Sequence, residues 1–387
     1  MLYSLKIELN KVLIFIILYA QFFFNIEIFP LTKYFLFHKY KEIENYLKIC
    51  SDYKYFNPKK INISNEPKIS IISPVYNTGI FVIRLLRSIQ YQHFNDIEII
   101  LINDCSEDNS FELMKKFMNE DKRIKLIKNK KNKGTFSSRN IGILKSKGKY
   151  IILPDPDDIL LINSLKIFYN FSIKYNYEFL RFNVYLNFGK TFFGEMTKKL
   201  ESRPIYQPEL STYLFYGLGF LKQIDYNVCN KFIKRESLIR GLNIIKPDLN
   251  IYMTNHEDGI LNYILYRSAK SSYFLKKFGY YYIKNNKKIK KNYSNFNYIK
   301  FRFIHLIYVF NYSRNTKYEK DMTNEIFNRL FYNPEAKRGI LLLKKEFIYF
   351  INMINKLNKN DFFLDKYKNY LNSFMSYYSR TIKNITL

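Results

Sequence analysis

Between Lys68 and Pro154, four short apolar runs alternate with stretches of helical apolar spacing, and that alternation restricts the chain to a small set of folds. Lys68–Pro74 (KISIISP) is nearly continuous in apolar residues and closed by proline, the pattern of a strand buried on both faces. Phe81–Tyr91 follows with apolar residues at 82, 83, 85, 86 and 89, one stripe of a helix. Ile97–Asn103 reads as a second buried strand, Ser110–Asn119 as a second helix and Ile124–Ile127 as a third strand. Thr135–Lys145 reads as a third helix and Tyr150–Pro154 as a fourth strand. The reading predicts an α/β fold, a mostly parallel sheet flanked by helices. In such sheets ligands bind beyond the carboxyl ends of the strands.

Composition limits the alternatives. The chain has 387 residues, 47% hydrophobic and 25% charged, enough for a sizeable core and too apolar for global disorder. Only 12 Gly and 10 Pro exclude a collagenous or linker-dominated chain. Three separated cysteines, Cys50, Cys105 and Cys229, form neither a disulfide framework nor closely spaced zinc ligands. The formal charge of +30 would suit a polyanionic partner. Lys, Asn, Ile, Tyr and Phe are all overused, however, and share AT-rich codons, so base composition accounts for much of the charge and no nucleic acid is expected as a partner.

The strand ends carry the polar groups. The first closes on Pro74, Tyr76 and Asn77, the second on Asp104, and the fourth on Asp155, Asp157 and Asp158. Residues i and i+2 of an extended segment share a face, so Asp155 and Asp157 can aim at one cation. Pro156 biases Asp155 towards that geometry. Carboxylates suit Mg²⁺ or Mn²⁺, which bridge to diphosphates. The alternative is that Asp157 and Asp158 cap a helix starting near Ile159. Gly134 before the third helix, with Arg139 and Asn140 in it, suits a phosphate through backbone N–H groups and a guanidinium.

The ordered motifs PVYN, INDCSEDNS, KGTFSSRNIG and GKYIILPDPDD resemble those of the family 2 glycosyltransferases of the GT-A fold, over about Lys68 to Tyr185. The resemblance implies a nucleotide-diphosphate sugar donor. It implies that Pro74 and Tyr76 line the base pocket, with Tyr76 stacking, and that Asp104 accepts a hydrogen bond from the base. It further implies that Arg139 reaches the nucleotide, that Asp155 lies near the ribose and metal, and that Asp157 is the metal ligand. Cys105 stands where the family usually has glycine. Downstream, Glu257-Asp258 at the start of the helix Ile260–Ala269 matches the family's acidic pair, which assigns Asp258 as catalytic base with Glu257 in support. Asn227–Phe232 resembles the segment near the acceptor in members that transfer single sugars, with Cys229 where an aromatic is common. The chain has no Trp, so the Gln-x-x-Arg-Trp signature of processive synthases is absent.

The expected organisation is a membrane anchor or signal segment over 1–31, a stem over 32–66, and a glycosyltransferase domain over 67–283. That domain divides into a nucleotide-sugar half (67–160) and an acceptor half (161–283), with a helical region over 284–387. Val12–Phe24 is apolar but for Gln21, and extends towards Leu31 to the roughly 20 residues a bilayer requires. Lysines flank it on both sides, so orientation is undetermined. The expected partners are the donor, a glycan, lipid or protein acceptor, and a membrane through the N-terminus. The competing functions are a nucleotidyltransferase-like enzyme and a non-catalytic basic binding module.

Overall fold

The computed structural model describes residues 66–283, apart from 93, 188–192, 196–201, 208, 210–226, 246–248, 251 and 255–256. The expected anchor over 1–31, nearly all of the stem and the region 284–387 lie outside the described residues. Among the described residues no helix is long and apolar enough to cross a membrane.

The chain runs through β1 (Ile69–Val75), α1 (Phe81–Gln90), β2 (Ile97–Asn103), α2 (Ser110–Glu120), β3 (Ile124–Lys128), α3 (Gly134–Lys145) and β4 (Tyr150–Ile152). It continues with β5 (Ile159–Leu160), α4 (Ser164–Tyr175), β6 (Phe179–Asn187), β7 (Phe193–Glu195) and β8 (Pro204–Tyr206). The last described elements are β9 (Lys231–Lys234), α5 (Arg235–Ile244), α6 (Glu257–Ser268) and β10 (Ser271–Ile283). Among the described residues one sheet has the order β3-β2-β1-β4-β9-β6-β10-β5, with β7 beside β6 and β8 beside β10. The first four strands are parallel neighbours, as their alternation with helices requires. Beyond β4 the sheet becomes mixed: β9 is antiparallel to β4 and β6, whereas β6 and β10 are parallel.

The apolar runs are continuous because both faces of the sheet are covered. Ile69 and Ile71 of β1, with Ile97, Ile99 and Leu101 of β2, join the core that includes Val82 and Leu86 of α1 and Phe117 of α2. The intervening Ile72, Ile100 and Ile102 point the other way, into a core with Phe136 and Ile143 of α3 and Ile260 and Ile264 of α6. Helix α3 lies directly on the sheet at Gly142, where an added Cβ would come within 2.3 Å of Ile72 Cγ2.

The alternative reading of Asp157 and Asp158 as caps fails at the end of β4. No helix starts at Ile159: Ile159–Leu160 is a strand, antiparallel to Tyr280–Tyr281, and α4 begins at Ser164. Asp158 is therefore no helix cap. It is fully buried and accepts hydrogen bonds from the Tyr280 hydroxyl (2.8 Å) and the Ile283 N–H (2.9 Å), fastening the end of β10.

After β2, Cys105 has φ +66°. An L-residue in the left-handed region carries a steric cost that glycine does not. Replacing Cys105 by Gly should relieve it and raise the unfolding free energy by up to about 1 kcal/mol, after allowing for glycine's greater freedom in the unfolded chain. Chemical denaturation checks this, and a loss of stability would contradict it.

Candidate active site

The carboxyl ends of β1, β2 and β4 converge. The Asp104 N–H donates to Val75 O at 2.8 Å, and the Ser73 hydroxyl donates to Pro154 O at 3.0 Å. Tyr76, 47% exposed, stands at the lip of this region. Asn77 (φ +48°) ties the β1 and β2 loops, receiving the Glu107 N–H on its side-chain oxygen (2.8 Å) while its own N–H donates to the Ser106 hydroxyl (3.2 Å). Buried Asp104 uses Oδ1 to accept from Asn129 Nδ2 (2.7 Å) and from the Lys133 N–H (2.8 Å). It thereby fixes the loop that leads into α3.

The centre of the constellation is Arg139, on the second turn of α3 and only 2% exposed. Nη2 donates to Asp155 Oδ1 at 2.6 Å. Nη1 donates to Asp258 Oδ1 at 2.6 Å and to Glu257 Oε1 at 3.3 Å. Burial works against the guanidinium charge, but Asp258, Asp155 and Glu257 more than offset it, so its pKa is raised. The resemblance implied a nucleotide contact for this arginine. In the structure its guanidinium faces carboxylates from the end of β4 and the start of α6.

Three carboxylates around one cation leave negative charge in excess. Burial, with Asp258 nearby and Arg139 opposing, pushes the Glu257 pKa up to about 7. The Asp258 pKa is also raised, by burial first; Arg139 opposes the rise and Asp155 adds to it. Asp258 Oδ2 accepts the Val228 N–H at 3.3 Å, which orients the carboxylate, and about a fifth of this side chain stays exposed. Glu257 and Asp258 occupy the first turn of α6, where the helix dipole favours negative charge.

Asp157, two residues beyond Asp155, is buried, and the Asp155 side chain is about one-third exposed. Among the described residues no three His, Cys, Asp or Glu side chains gather as a ready-made metal cage. The donor set nevertheless fits Mg²⁺ or Mn²⁺ of the kind bound by one or two carboxylates together with substrate phosphates.

Several other residues named from the sequence have polar groups engaged within the protein. Pro74 is in β1. The Gly134 N–H (φ +80°) donates to Asn132 Oδ1 at 3.0 Å, and the Phe136 N–H donates to Met253 O at 3.1 Å, so these amides at the start of α3 are already engaged. Asn140 Nδ2 donates to Leu249 O at 3.1 Å. Lys231 is buried, its ammonium given to Asn227 O and Asn230 Oδ1. Burial, reinforced by Asp155, Asp158 and Asp258, pushes the Cys229 thiol well up. His256 lies outside the described residues. Tyr280 carried no motif, yet its hydroxyl accepts the Asp155 N–H (2.9 Å) while donating to Asp158, and so positions the backbone at Asp155.

The Glycosyl transferase family 2 profile matches residues 70–242. An uncharacterized glycosyltransferase of Haemophilus influenzae is 31% identical over 211 residues, which is 54% of this chain and 79% of that protein. The glycosyltransferase GlyG of Streptococcus pneumoniae is 38% identical over 101 residues, 26% of this chain and 34% of GlyG. The chain belongs to glycosyltransferase family 2. Its fold is that of Staphylococcus aureus TarS residues 1–349, crystallised with UDP-GlcNAc, at a TM-score of 0.52 and 19% identity, covering 71% of this chain and 75% of that one.

Removing the cation at the centre would leave Asp155, Glu257 and Asp258 facing one another. Arg139→Gln should cost about 3 kcal/mol at pH 8. Carboxylates whose folded pKa is raised stabilise the fold while protonated and lose that contribution as pH rises through the folded pKa. Loss of Arg139 raises Glu257 and Asp258 further, so the deficit against wild type should narrow on acidification to pH 5. Thermal melts at both pH values check this, and a deficit independent of pH would contradict it.

Proposed function

We propose that this glycosyltransferase moves a sugar from a nucleoside-diphosphate sugar to an acceptor hydroxyl, with inversion and one residue at a time. The observation that carries the reading is the Arg139 bridge, which sets Asp258 one guanidinium away from Asp155 at the donor-side strand end. Inverting transfer needs a carboxylate at the attacking face to accept the hydroxyl proton. Asp258 fits that need. One oxygen is held by Arg139 and the other by the Val228 N–H, yet each carboxylate oxygen has a second lone pair for an incoming O–H. Burial lifts its pKa towards the working pH, which strengthens it as a base.

In the proposed reaction the acceptor oxygen forms its bond to the anomeric carbon as the glycosidic bond to the diphosphate breaks. The bonding electrons leave with the nucleoside diphosphate, and the acceptor proton passes to Asp258. Arg139 keeps its charge throughout and fixes both carboxylates. Asp157, with Asp155, would hold a divalent ion, Mg²⁺ or Mn²⁺, which would supply neutralisation of the leaving-group charge. Tyr76, exposed at the lip, would stack on the base, and Asp104 bounds the same end of the sheet.

UDP-GlcNAc in the TarS complex supports a donor of the hexosyl or N-acetylhexosaminyl class for this chain as well. The absence of Trp, and with it of the processive signature, supports single transfers. The acceptor is a glycan, lipid or protein hydroxyl, with residues 1–31 as a membrane anchor or signal segment. The match to family 2 favours transfer over nucleotidyl chemistry or non-catalytic binding.

The full chain, supplied with a panel of nucleotide sugars and Mn²⁺, should release nucleoside diphosphate from one of them. Asp258→Asn should lower turnover by about a hundredfold or more. Asp157→Asn and chelation should each suppress turnover. An Asp258→Asn protein with wild-type turnover would overturn the mechanism.

A further inference from the structure

Helix α3 grips the segment that delivers the acidic pair at three points. At its start, Gly134 has φ +80°, and an added Cβ would lie 2.6 Å from Met253 O and 2.8 Å from Met253 N. Two residues on, the Phe136 N–H donates to that same carbonyl at 3.1 Å, and Met253 is fully buried. In the next turn Arg139 holds Glu257 and Asp258, and Asn140 Nδ2 donates to Leu249 O at 3.1 Å. Leu249, Met253 and Asp258 are thus fastened to a single rigid helix along the chain that leads into α6.

We infer that Gly134 and Asn140 are positioning residues for the base. They dock the backbone at Met253 and Leu249 on α3 so that Asp258 meets Arg139, and they are not ligands of the donor phosphates. Gly134 is required at its position twice over. Its φ favours glycine, and the space a side chain needs is taken by Met253 backbone, which cannot move aside as a flexible side chain can. The Gly134 N–H that would serve a phosphate is already given to Asn132, and the Phe136 N–H to Met253. Asn140 contributes the second anchor, since its amide is spent on the Leu249 carbonyl.

This inference rests on the assignment of Asp258 as base, and its test separates the two. Three variants of the full chain are compared: Gly134→Ala, Asn140→Ala and Gly142→Ala. Gly142 lies on the same helix but faces Ile72 and Ile102 of the sheet, so its variant reports packing damage without touching Met253. A displaced base lowers kcat and leaves donor binding intact. Gly134→Ala should therefore lose about a hundredfold in kcat, and Asn140→Ala less, with donor KM within about twofold of wild type. Gly142→Ala should melt lower and keep both constants. Amide hydrogen exchange over Tyr252–Leu261 should accelerate in Gly134→Ala and Asn140→Ala relative to Gly142→Ala, a readout that needs no turnover. A raised donor KM with unchanged kcat would assign these residues to the phosphates and overturn the inference, as would unchanged exchange in that segment. Wild-type protein that transfers no sugar would sink the functional reading, while the exchange data would still decide the docking.

Discussion

One buried guanidinium organises the site. Arg139 reaches carboxylates that are 16, 118 and 119 residues away along the chain, and it holds two of them at 2.6 Å. A buried ion is costly to desolvate, and its retention makes sense where charge must be held in a defined place. Here one positive charge meets three acidic side chains. Burial first, with the neighbouring carboxylates adding to it and Arg139 opposing, raises the Glu257 and Asp258 pKa values and gives the acidic pair its basicity. A salt-bridge network built for stability alone would approach neutrality. This one leaves a carboxylate partly exposed at the end of a sheet where ligands of such folds bind.

The sheet makes that meeting possible. Its parallel half lines up the carboxyl ends of β1, β2 and β4, and with them Asn77, Asp104 and Asp155. Beyond β4 the antiparallel β9 and the β6–β10 pair extend the same sheet, so the second half of the domain packs as a continuation of the first. Tyr280 of β10 returns to the end of β4 and holds the Asp155 backbone through its hydroxyl, while Asp158 closes the link from the other side. Helix α3 lies between the halves and connects Asp104, through the Lys133 N–H, with Asp258, through Arg139.

The parallel half was legible because β1, β2 and β4 are buried along their whole length and β1, β2 and β3 are each followed by a helix with one apolar stripe. Those two local patterns coincide nearly residue for residue with β1 to β4 and α1 to α3. The helix behind Glu257-Asp258 was legible as an apolar stretch, and the role of the pair came from the family resemblance. Ile159–Leu160 was not. Two residues carry no period, and their strand character comes from pairing with Tyr280 and Tyr281, more than a hundred positions away. The partners of Arg139 were hidden in the same way. The arginine and its neighbouring Gly134 and Asn140 carry the right chemistry for a phosphate, and only the long-range contacts of Leu249, Met253, Glu257 and Asp258 with α3, together with the Gly134 N–H bond to Asn132, show these groups already engaged. Tyr280, in a run of three tyrosines in a tyrosine-rich chain, offered no signal at all.

The most direct measurement is a double-mutant cycle on unfolding free energy between Arg139→Gln and Asp258→Asn, repeated with Asp155→Asn in place of the second change. If one guanidinium joins the two carboxylates, each cycle should give a favourable coupling of about 1–3 kcal/mol at pH 8. Additive changes, with coupling below about 0.5 kcal/mol in both cycles, would mean that the two acids do not share that cation, and the site as described would not exist.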